Sequence, residues 1–309
     1  MFPTGKGPKL PFTNPLEAVT QSVTGKMAEG LALVQAAAIT TQAATALTRS
    51  PGIDDWSARP DDEHPRPVIL VHGTFGNAET YWLTVAPVLA AAGYSVFRLD
   101  YGADPRIPIM HGLASMEQSA EELAAYVERV LAATGAEKVD IIGHSQGGML
   151  PRYYLKFLGG ATKVHHLIGL APNNHGTTGN GIAALMKQYP ASIELTNMVL
   201  PALTEQHKGS DFMNKLNDGE DTVDGVRYTV IATKYDEVVT PYSSCWLRGP
   251  NVRNVLLQDL CVADLSEHNA VVYSPFAMRE VLRALSPAKP KKGTAGATRA
   301  ATPQSEPAP

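Results

Sequence analysis

The segment GHSQG at residues 143–147 constrains this chain more than any other, because it places a serine between two glycines where an apolar run meets a helical one. The residues KVDII before it predict a buried strand, and GGMLPRYYLKFLGG after it predicts a helix. In so tight a turn, a side chain at Gly143 or Gly147 would collide with the adjoining backbone. The pattern predicts a nucleophile elbow, which holds the Ser145 hydroxyl clear of the sheet.

Short apolar strands alternate with helical patterns through the centre of the chain. The predicted strands cover residues 66–73, 94–102, 138–142, 163–172, 226–236 and 254–260, and the predicted helices cover 79–93, 115–135, 147–160 and 274–285. Alternation of this kind is typical of an α/β fold with a mostly parallel sheet and helices on both faces. A chain of 309 residues that is 44% hydrophobic and 18% charged is large enough for one such domain.

The two ends and one internal stretch depart from this alternation. Residues 1–54 are predicted as a loop followed by a helix; their apolar part, 31–46, resembles the core of an export signal but starts late in the chain. Residues 55–285 form the predicted domain. Within it, residues 173–225 have no obvious strand and are predicted as a small helical cap, with a merely structural insertion as the alternative. Residues 286–309 have almost no large apolar side chain, which predicts a disordered tail.

The charge of the chain argues against one class of partner. A formal net charge of −4 and an isoelectric point near 6.1 give no electrostatic basis for binding nucleic acid. No apolar run approaches the ~20 residues that a membrane-spanning helix needs. No metal site is predicted.

A catalytic serine needs a base, and the base needs a carboxylate that orients it and stabilises its cation. After a nucleophile elbow these groups follow in the order serine, acid, histidine, each at the carboxyl end of a strand. Of nine histidines, only His268 lies beyond the strands that could carry the acid, in a loop before the last predicted helix. His268 is therefore the predicted base. His144 flanks the nucleophile, His72 belongs to another loop, and His165 and His166 lie within a strand.

The position of a carboxylate relative to a strand identifies the acid. Asp236 is the last residue of the predicted strand segment 226–236, so it lies at the carboxyl end where an orienting carboxylate is needed. Glu237 is adjacent but is expected to point elsewhere. Asp221 and Asp224 precede the strand and would lie at the wrong edge of the sheet. Asp236 is the predicted acid.

An oxyanion that develops on the substrate needs two preorganised donors. One is predicted to be the backbone N–H of Gln146, the residue after the nucleophile. The other should come from the loop HGTFGN that follows the first strand, where Gly73 and Gly76 allow a close approach of the backbone. Thr74 is the predicted donor, with Phe75 as the alternate.

Four motifs together resemble the secreted bacterial triacylglycerol lipases and esterases of the α/β-hydrolase superfamily: PVILVHGTFGN, GHSQGG, LAPNNHGTT and TKYDEVVTPY. The likeness runs from about residue 55 to 284. It implies the α/β-hydrolase fold, hydrolysis of fatty-acid esters without an organic cofactor, and a triad of Ser145, Asp236 and His268. The chain departs from the family in having no clear export signal and few cysteines. The resemblance implies a secreted or cell-envelope location, with the cytoplasm as the alternative.

The sequence is compatible with several substrate classes and activities. A lipase acting on triacylglycerols at a lipid–water interface, as a monomer, is the first. An esterase for short or polymeric esters, an acyltransferase with the same triad, and a binding protein that kept the fold are the alternatives. Apolar side chains in the cap predict a wall for the acyl chain, and the pocket residues predicted there are Leu185, Met186, Met198 and Leu200.

The chain has two cysteines, Cys245 and Cys261, on either side of the last predicted strand. They are predicted to form a disulfide, with two independent thiols as the alternative. A bridge closing a loop of ~15 residues would contribute about 3 kcal/mol in the chain-entropy model. It would also limit movement of the segment that leads to His268.

Overall fold

The computed structural model describes residues 52–188 and 200–286. The centre of the described chain is one sheet of six parallel strands in the order β2-β1-β3-β4-β5-β6. The strands are β1 Val68–Val71, β2 Val96–Leu99, β3 Val139–His144, β4 Val164–Leu170, β5 Arg227–Ala232 and β6 Val252–Leu256. The parallel sheet confirms the predicted fold class, and all strands end at the same edge, the carboxyl edge.

Helices connect the strands and cover both faces of the sheet. They are α1 Ala78–Tyr81, α2 Val85–Ala91, α3 Met116–Thr134, α4 Gln146–Phe157, α5 Gly179–Gln188, α6 Pro201–Glu205, α7 Asp211–Leu216, α8 Leu257–Leu260 and α9 Pro275–Leu285. Local sequence fixes several of their ends. Ser115 and Ser274 accept hydrogen bonds from the first turns of α3 and α9, and Gly135 ends α3 in the left-handed conformation. No helix among the described residues is long and apolar enough to cross a membrane.

The pleat of the strands divides the core into two layers. Ile69 and Ile141 point to the face covered by α3 and α4, in a cluster that contains Leu123 and Met149. Their strand neighbours point to the opposite face, where Val68, Leu70 and Ile142 pack with residues of α2 and α9. Because both faces are covered, the central strands direct apolar side chains to both sides of the sheet, as buried parallel strands do.

Most predicted elements differ from the structure by a few residues at their ends, and two differ more. The single helix predicted over 79–93 is two short helices, α1 and α2, separated by residues 82–84. The strand predicted over 254–260 is strand only to Leu256, and α8 follows from Leu257. In both places apolar residues lie on each side of the boundary, so hydrophobicity alone does not mark where one element ends.

The interval 173–225 contains α5, α6 and α7 and, in its described part, no strand of the sheet. Residues 189–199 lie outside the described residues, and so does Met198 of the predicted pocket. The predicted extension 1–54 is described only from residue 52, and the predicted tail only at Ser286. At the start of the described chain, Ile53 forms an isolated parallel bridge with Val96, next to the outer strand β2.

The predicted disulfide is wrong: Cys245 and Cys261 are both free thiols in the structure. Cys245 is fully buried in the core layer under α3 and α4. Cys261 follows α8, whose Leu257 and Leu260 pack in the layer on the opposite face of the sheet. The two cysteines flank β6 in sequence, but their neighbours belong to core layers on different faces of the sheet.

Candidate active site

The turn between β3 and α4 has the geometry of a nucleophile elbow. Ser145 has a positive φ of 54° with ψ −124°, a combination that non-glycine residues rarely adopt. A Cβ at Gly143 would overlap the carbonyl oxygen of Gly147, and a Cβ at Gly147 would overlap the carbonyl oxygen of Val71. Both glycines are therefore required by the close approach of the backbone, as the sequence predicts.

Three side chains from three loops meet at the carboxyl edge. His268 Nε2 lies 2.9 Å from Ser145 Oγ, and His268 Nδ1 lies 2.9 Å from Asp236 Oδ2. The carboxylate accepts the Nδ1 proton, so the lone pair of the neutral ring is on Nε2 and accepts the serine hydroxyl. The structure thus brings the predicted nucleophile, base and acid together in one hydrogen-bonded chain.

The carboxylate of Asp236 is held on both oxygens. Its Oδ1 accepts the backbone N–H groups of Val238 (3.0 Å) and Val239 (2.7 Å), while Oδ2 faces His268. Two other carboxylates considered from the sequence have different partners. Glu237 accepts a hydrogen bond from Gln188, and Asp221 pairs with the buried guanidinium of Arg152.

His144 lies beneath the predicted base and fixes its position. His144 Nε2 donates to the carbonyl oxygen of His268 at 2.8 Å, and the Tyr81 hydroxyl is hydrogen-bonded to its Nδ1. Burial, reinforced by the neighbouring His268, holds the pKa of His144 well below its usual range. A neutral His144 adds no positive charge beside the ring that has to accept the serine proton.

The loop after β1 lies directly beside the elbow, because β1 and β3 are paired with Val71 opposite Gly143. A Cβ at Gly73 would be 3.2 Å from the Cβ of Ser145, so the backbone that leads to Thr74 runs past the nucleophile. Gln146 is the first residue of α4, where backbone N–H groups have no acceptor within the helix. The structure brings both predicted oxyanion residues to Ser145.

A buried network of amide and hydroxyl groups joins the two oxyanion residues. The hydroxyl of Thr74 donates to Gln146 Oε1 at 2.5 Å. Gln206, just after α6, donates from Nε2 to Thr74 Oγ1 at 3.0 Å and to Gln146 Oε1 at 3.1 Å. Asn173 Nδ2 donates to Gln206 Oε1 at 2.8 Å. Sequence reasoning missed Gln206 and Asn173, because no local pattern links residues of the cap to the loop after β1.

An apolar cluster from the cap and the carboxyl-edge loops lies next to these polar groups. It consists of Phe75, Ile107, Leu113, Leu185, Leu200 and Val238, with Met110, Ala184 and Leu203 packed against it. Phe75 follows Thr74, and Val238 binds the carboxylate of Asp236, so the cluster adjoins the triad. Leu185 and Leu200 of the predicted pocket belong to it, whereas Met186 is outside it. Ser145 itself is buried, with 4% of its surface exposed.

Known proteins resemble the chain in sequence over part of its length. The triacylglycerol lipases of Pseudarthrobacter phenanthrenivorans and Burkholderia plantarii are each 41% identical to it over 99 residues. These residues are 28% of this chain in both cases, and 27% and 24% of the two lipases. The match therefore spans about a quarter of the length of these relatives.

Solved structures share the fold. Aspergillus fumigatus lipase B superposes with a TM-score of 0.60 at 24% identity, over 76% of this chain and 56% of that one. The mature form of Bacillus licheniformis lipase BlEst2 superposes with a TM-score of 0.55 at 18% identity, over 74% of this chain and 95% of that one. These likenesses confirm the α/β-hydrolase fold.

A family model identifies the family of the chain in addition to its fold. The model for class 2 lipases matches residues 65–279, a span that contains the elbow, the acid loop and the histidine loop. This match covers most of the chain and includes every residue of the hydrogen-bonded chain described above. The protein belongs to the class 2 lipase family.

Proposed function

We propose that the protein is a carboxylic-ester hydrolase, a lipase that cleaves fatty-acid esters such as triacylglycerols through an acyl-enzyme on Ser145. The observation that carries the proposal is the continuous hydrogen bonding from Ser145 Oγ through His268 to Asp236, with 2.9 Å at each step. Membership in the class 2 lipase family supports the choice of ester bonds as substrates.

Acylation begins with attack of Ser145 Oγ on the ester carbonyl while His268 Nε2 accepts the hydroxyl proton. The cation that forms on His268 faces the carboxylate of Asp236, which also holds the ring orientation. The backbone N–H groups of Thr74 and Gln146 stabilise the oxyanion, and Gln206 acts as a positioning residue for both. His268 then protonates the leaving alcohol.

Deacylation uses the same groups in the reverse order. Water attacks the acyl-enzyme, His268 accepts its proton, and a second oxyanion forms at the same donors. The carboxylic acid leaves when the proton returns to Ser145 Oγ. An alcohol in place of water would give a new ester, so product analysis with added alcohol separates hydrolysis from acyl transfer.

The proposal is tested by Ser145→Ala, assayed on p-nitrophenyl esters. The rate should fall at least ~10³-fold, because the nucleophile is removed while the fold is retained. Ser119→Ala is the matched control, since Ser119 is also a fully buried serine but lies on α3, away from the triad. Circular dichroism and thermal unfolding check that both variants fold. Activity above a few per cent in folded Ser145→Ala would remove Ser145 from the mechanism.

The preference for long acyl chains is proposed from the apolar cluster beside the triad. Each methylene that it buries contributes ~0.8 kcal/mol, or about a fourfold gain in kcat/KM, until the cluster is filled. We expect kcat/KM to rise from acetate toward longer p-nitrophenyl esters. Leu200→Ala should flatten this rise, while Leu265→Ala, at a residue 69% exposed, should not. If acetate is the best substrate, the alternative of a short-chain or polyester hydrolase replaces the lipase.

We also propose that the enzyme acts as a monomer at a lipid–water interface, secreted or attached to the cell envelope. The support is the resemblance of four sequence motifs to secreted bacterial lipases. Fractionation of the source cells tests the location, and light scattering on the purified protein tests the monomer. Recovery from the cytoplasmic fraction alone would favour the cytoplasmic alternative.

A further inference from the structure

We propose that His72, Asp100 and His111 form a binding site for a single Zn²⁺ ion that fastens the loop of Thr74 to its neighbours. The three side chains come from the loop after β1, the end of β2 and the segment before α3. Their ligand atoms all lie within 4.8 Å of one another. The site is separate from the Ser145–His268–Asp236 triad and has no part in the proposed ester chemistry.

The tautomer of His72 directs a lone pair into the cluster. His72 Nδ1 is 2.8 Å from the carbonyl oxygen of Gly73, which can only accept, so Nδ1 bears the proton. In the neutral ring Nε2 is therefore an acceptor, and it faces a carboxylate oxygen of Asp100 at 3.7 Å. A lone pair directed at a carboxylate is repulsive unless a cation lies between them. A histidine whose other nitrogen donates to a backbone carbonyl is the usual arrangement of a metal ligand.

The cluster contains two buried nitrogen atoms that have no hydrogen bond and lie close to Asp100 Oδ1. Among the described residues, His72 Nε2 and His111 Nδ1 have no hydrogen bond, although His72 is completely buried. Buried nitrogen atoms normally have a partner, so each needs an explanation. Both face the same carboxylate, and one ion at the centre would satisfy them together.

The spacing and the chemistry of the three ligands favour zinc. Two ligands of a tetrahedral zinc ion are about 3.3 Å apart, given bond lengths of ~2.0–2.1 Å. The separations here are 3.7 Å from His72 Nε2 to Asp100 Oδ1 and 3.2 Å from His111 Nδ1 to the same oxygen. Two imidazoles and one carboxylate suit zinc better than calcium or magnesium, which prefer oxygen. Asp100 is 47% exposed, so water can reach the fourth position.

The ion would join three segments that surround the oxyanion loop. His72 is two residues before Thr74, and the backbone N–H of His111 already donates to the carbonyl oxygen of Gly76 at 2.8 Å. The backbone N–H of Ala78 donates to Asp100 Oδ1 at 2.6 Å, the same oxygen that faces the two histidines, and this leaves a further lone pair on that oxygen and those of Oδ2 for the ion. Zinc would thus hold the loop at both of its ends and stabilise the folded protein.

Metal binding to the purified full chain tests the proposal. After chelator treatment and dialysis, ZnCl₂ titrated by calorimetry should bind at about one ion per chain, and mass spectrometry of the metal content should agree. Asp100→Asn and His111→Gln should each weaken binding at least about tenfold. Asp100→Asn keeps the oxygen that accepts the Ala78 N–H, so its fold should be preserved. In wild type, but not in these variants, zinc should raise the unfolding temperature.

Two controls separate this site from other histidines. His207→Gln changes an exposed histidine, and His268→Ala removes the histidine of the triad; both should keep the wild-type stoichiometry and affinity. Wild-type affinity in folded Asp100→Asn and His111→Gln would place the bound zinc elsewhere and overturn the proposal. So would the absence of zinc binding to wild type.

Discussion

Two buried histidines at opposite edges of the sheet differ in the charge of their neighbours. At the carboxyl edge, His268 has the carboxylate of Asp236 at Nδ1 and the Ser145 hydroxyl at Nε2. Toward the amino edge, His166 in β4 accepts a hydrogen bond from the guanidinium of Arg227 on Nδ1, at 2.8 Å, and its Nε2 is 3.0 Å from Thr229 Oγ1. Both rings are almost completely shielded from water.

The difference teaches that burial alone does not make a histidine a base. Burial and the positive charge of Arg227 lower the pKa of His166 to about 3. A proton on its Nδ1 would also face a group that can only donate. His268 instead has a carboxylate at one nitrogen, so the cation formed during catalysis is paired. The group at Nδ1, a carboxylate in one case and a guanidinium in the other, therefore determines which histidine can accept a proton at Nε2.

The largest expected effect comes from replacing Asp236, the carboxylate beside His268 Nδ1. Asp236→Asn should lower kcat by about 10³–10⁴-fold with little change in fold, because the amide favours the wrong tautomer of the ring. Asp140→Asn is the matched control, since Asp140 also contacts a histidine, His165 at 2.8 Å, but at the amino edge. Rates are measured per folded molecule. A fall of similar size in Asp140→Asn would show that loss of any histidine–carboxylate pair is enough.

A smaller effect is expected at the carboxyl edge from Gln206, which contacts the oxyanion residues rather than His268. Gln206→Ala should lower kcat by about 10–10²-fold with KM nearly unchanged, because Thr74 and Gln146 lose the amide that fixes them. Rates are normalised to active sites by titration with an acylating reagent. Gln118→Ala, on the exposed face of α3, is the control. A change in KM alone would make Gln206 a binding residue rather than a positioning residue.

The smallest effect concerns stability at the amino edge. The pKa of His166 is about 3 in the folded protein and ~6.5 in the unfolded chain, so only the unfolded chain binds this proton between those values. Stability should fall as the pH falls below 6.5. His166→Gln should reduce this slope by up to about 1.4 kcal/mol per pH unit, measured by urea unfolding between pH 4.5 and 7. An equal slope in His166→Gln and the wild type would mean that His166 binds its proton equally well in the folded protein and in the unfolded chain.

The sequence predicted what depends on local pattern and chain order. The elbow follows from glycines at fixed distances from Ser145, and strands with both faces covered are recognisable as continuous apolar runs. The order of serine, acid and histidine left only His268 as the base, and the structure brings it to Asp236 and Ser145. Each of these features is determined by residues that are near one another in the chain or at the ends of strands.

Contacts between distant segments outside the triad and its oxyanion donors were not predicted. Gln206 reaches Thr74 across 132 positions, and the pattern around Gln206 is that of an ordinary helix end. The cluster of His72, Asp100 and His111 is likewise assembled from three loops, with none of the short spacings that identify metal motifs. The disulfide prediction was wrong for the same reason. The sequence separation of the two cysteines is compatible with a bridge, and only the packing shows that their neighbours belong to different faces of the sheet.

The two glycines of the elbow also limit how this protein can evolve. Any side chain at Gly143 meets the carbonyl of Gly147, and any side chain at Gly147 meets the carbonyl of Val71, so neither substitution compensates for the other. Ser145 can lose its hydroxyl without such a collision. Substitution of Ser145 therefore removes activity without disturbing the fold, whereas substitution of either glycine disturbs the fold. A descendant that had kept the architecture for binding alone would retain both glycines and differ at the serine between them.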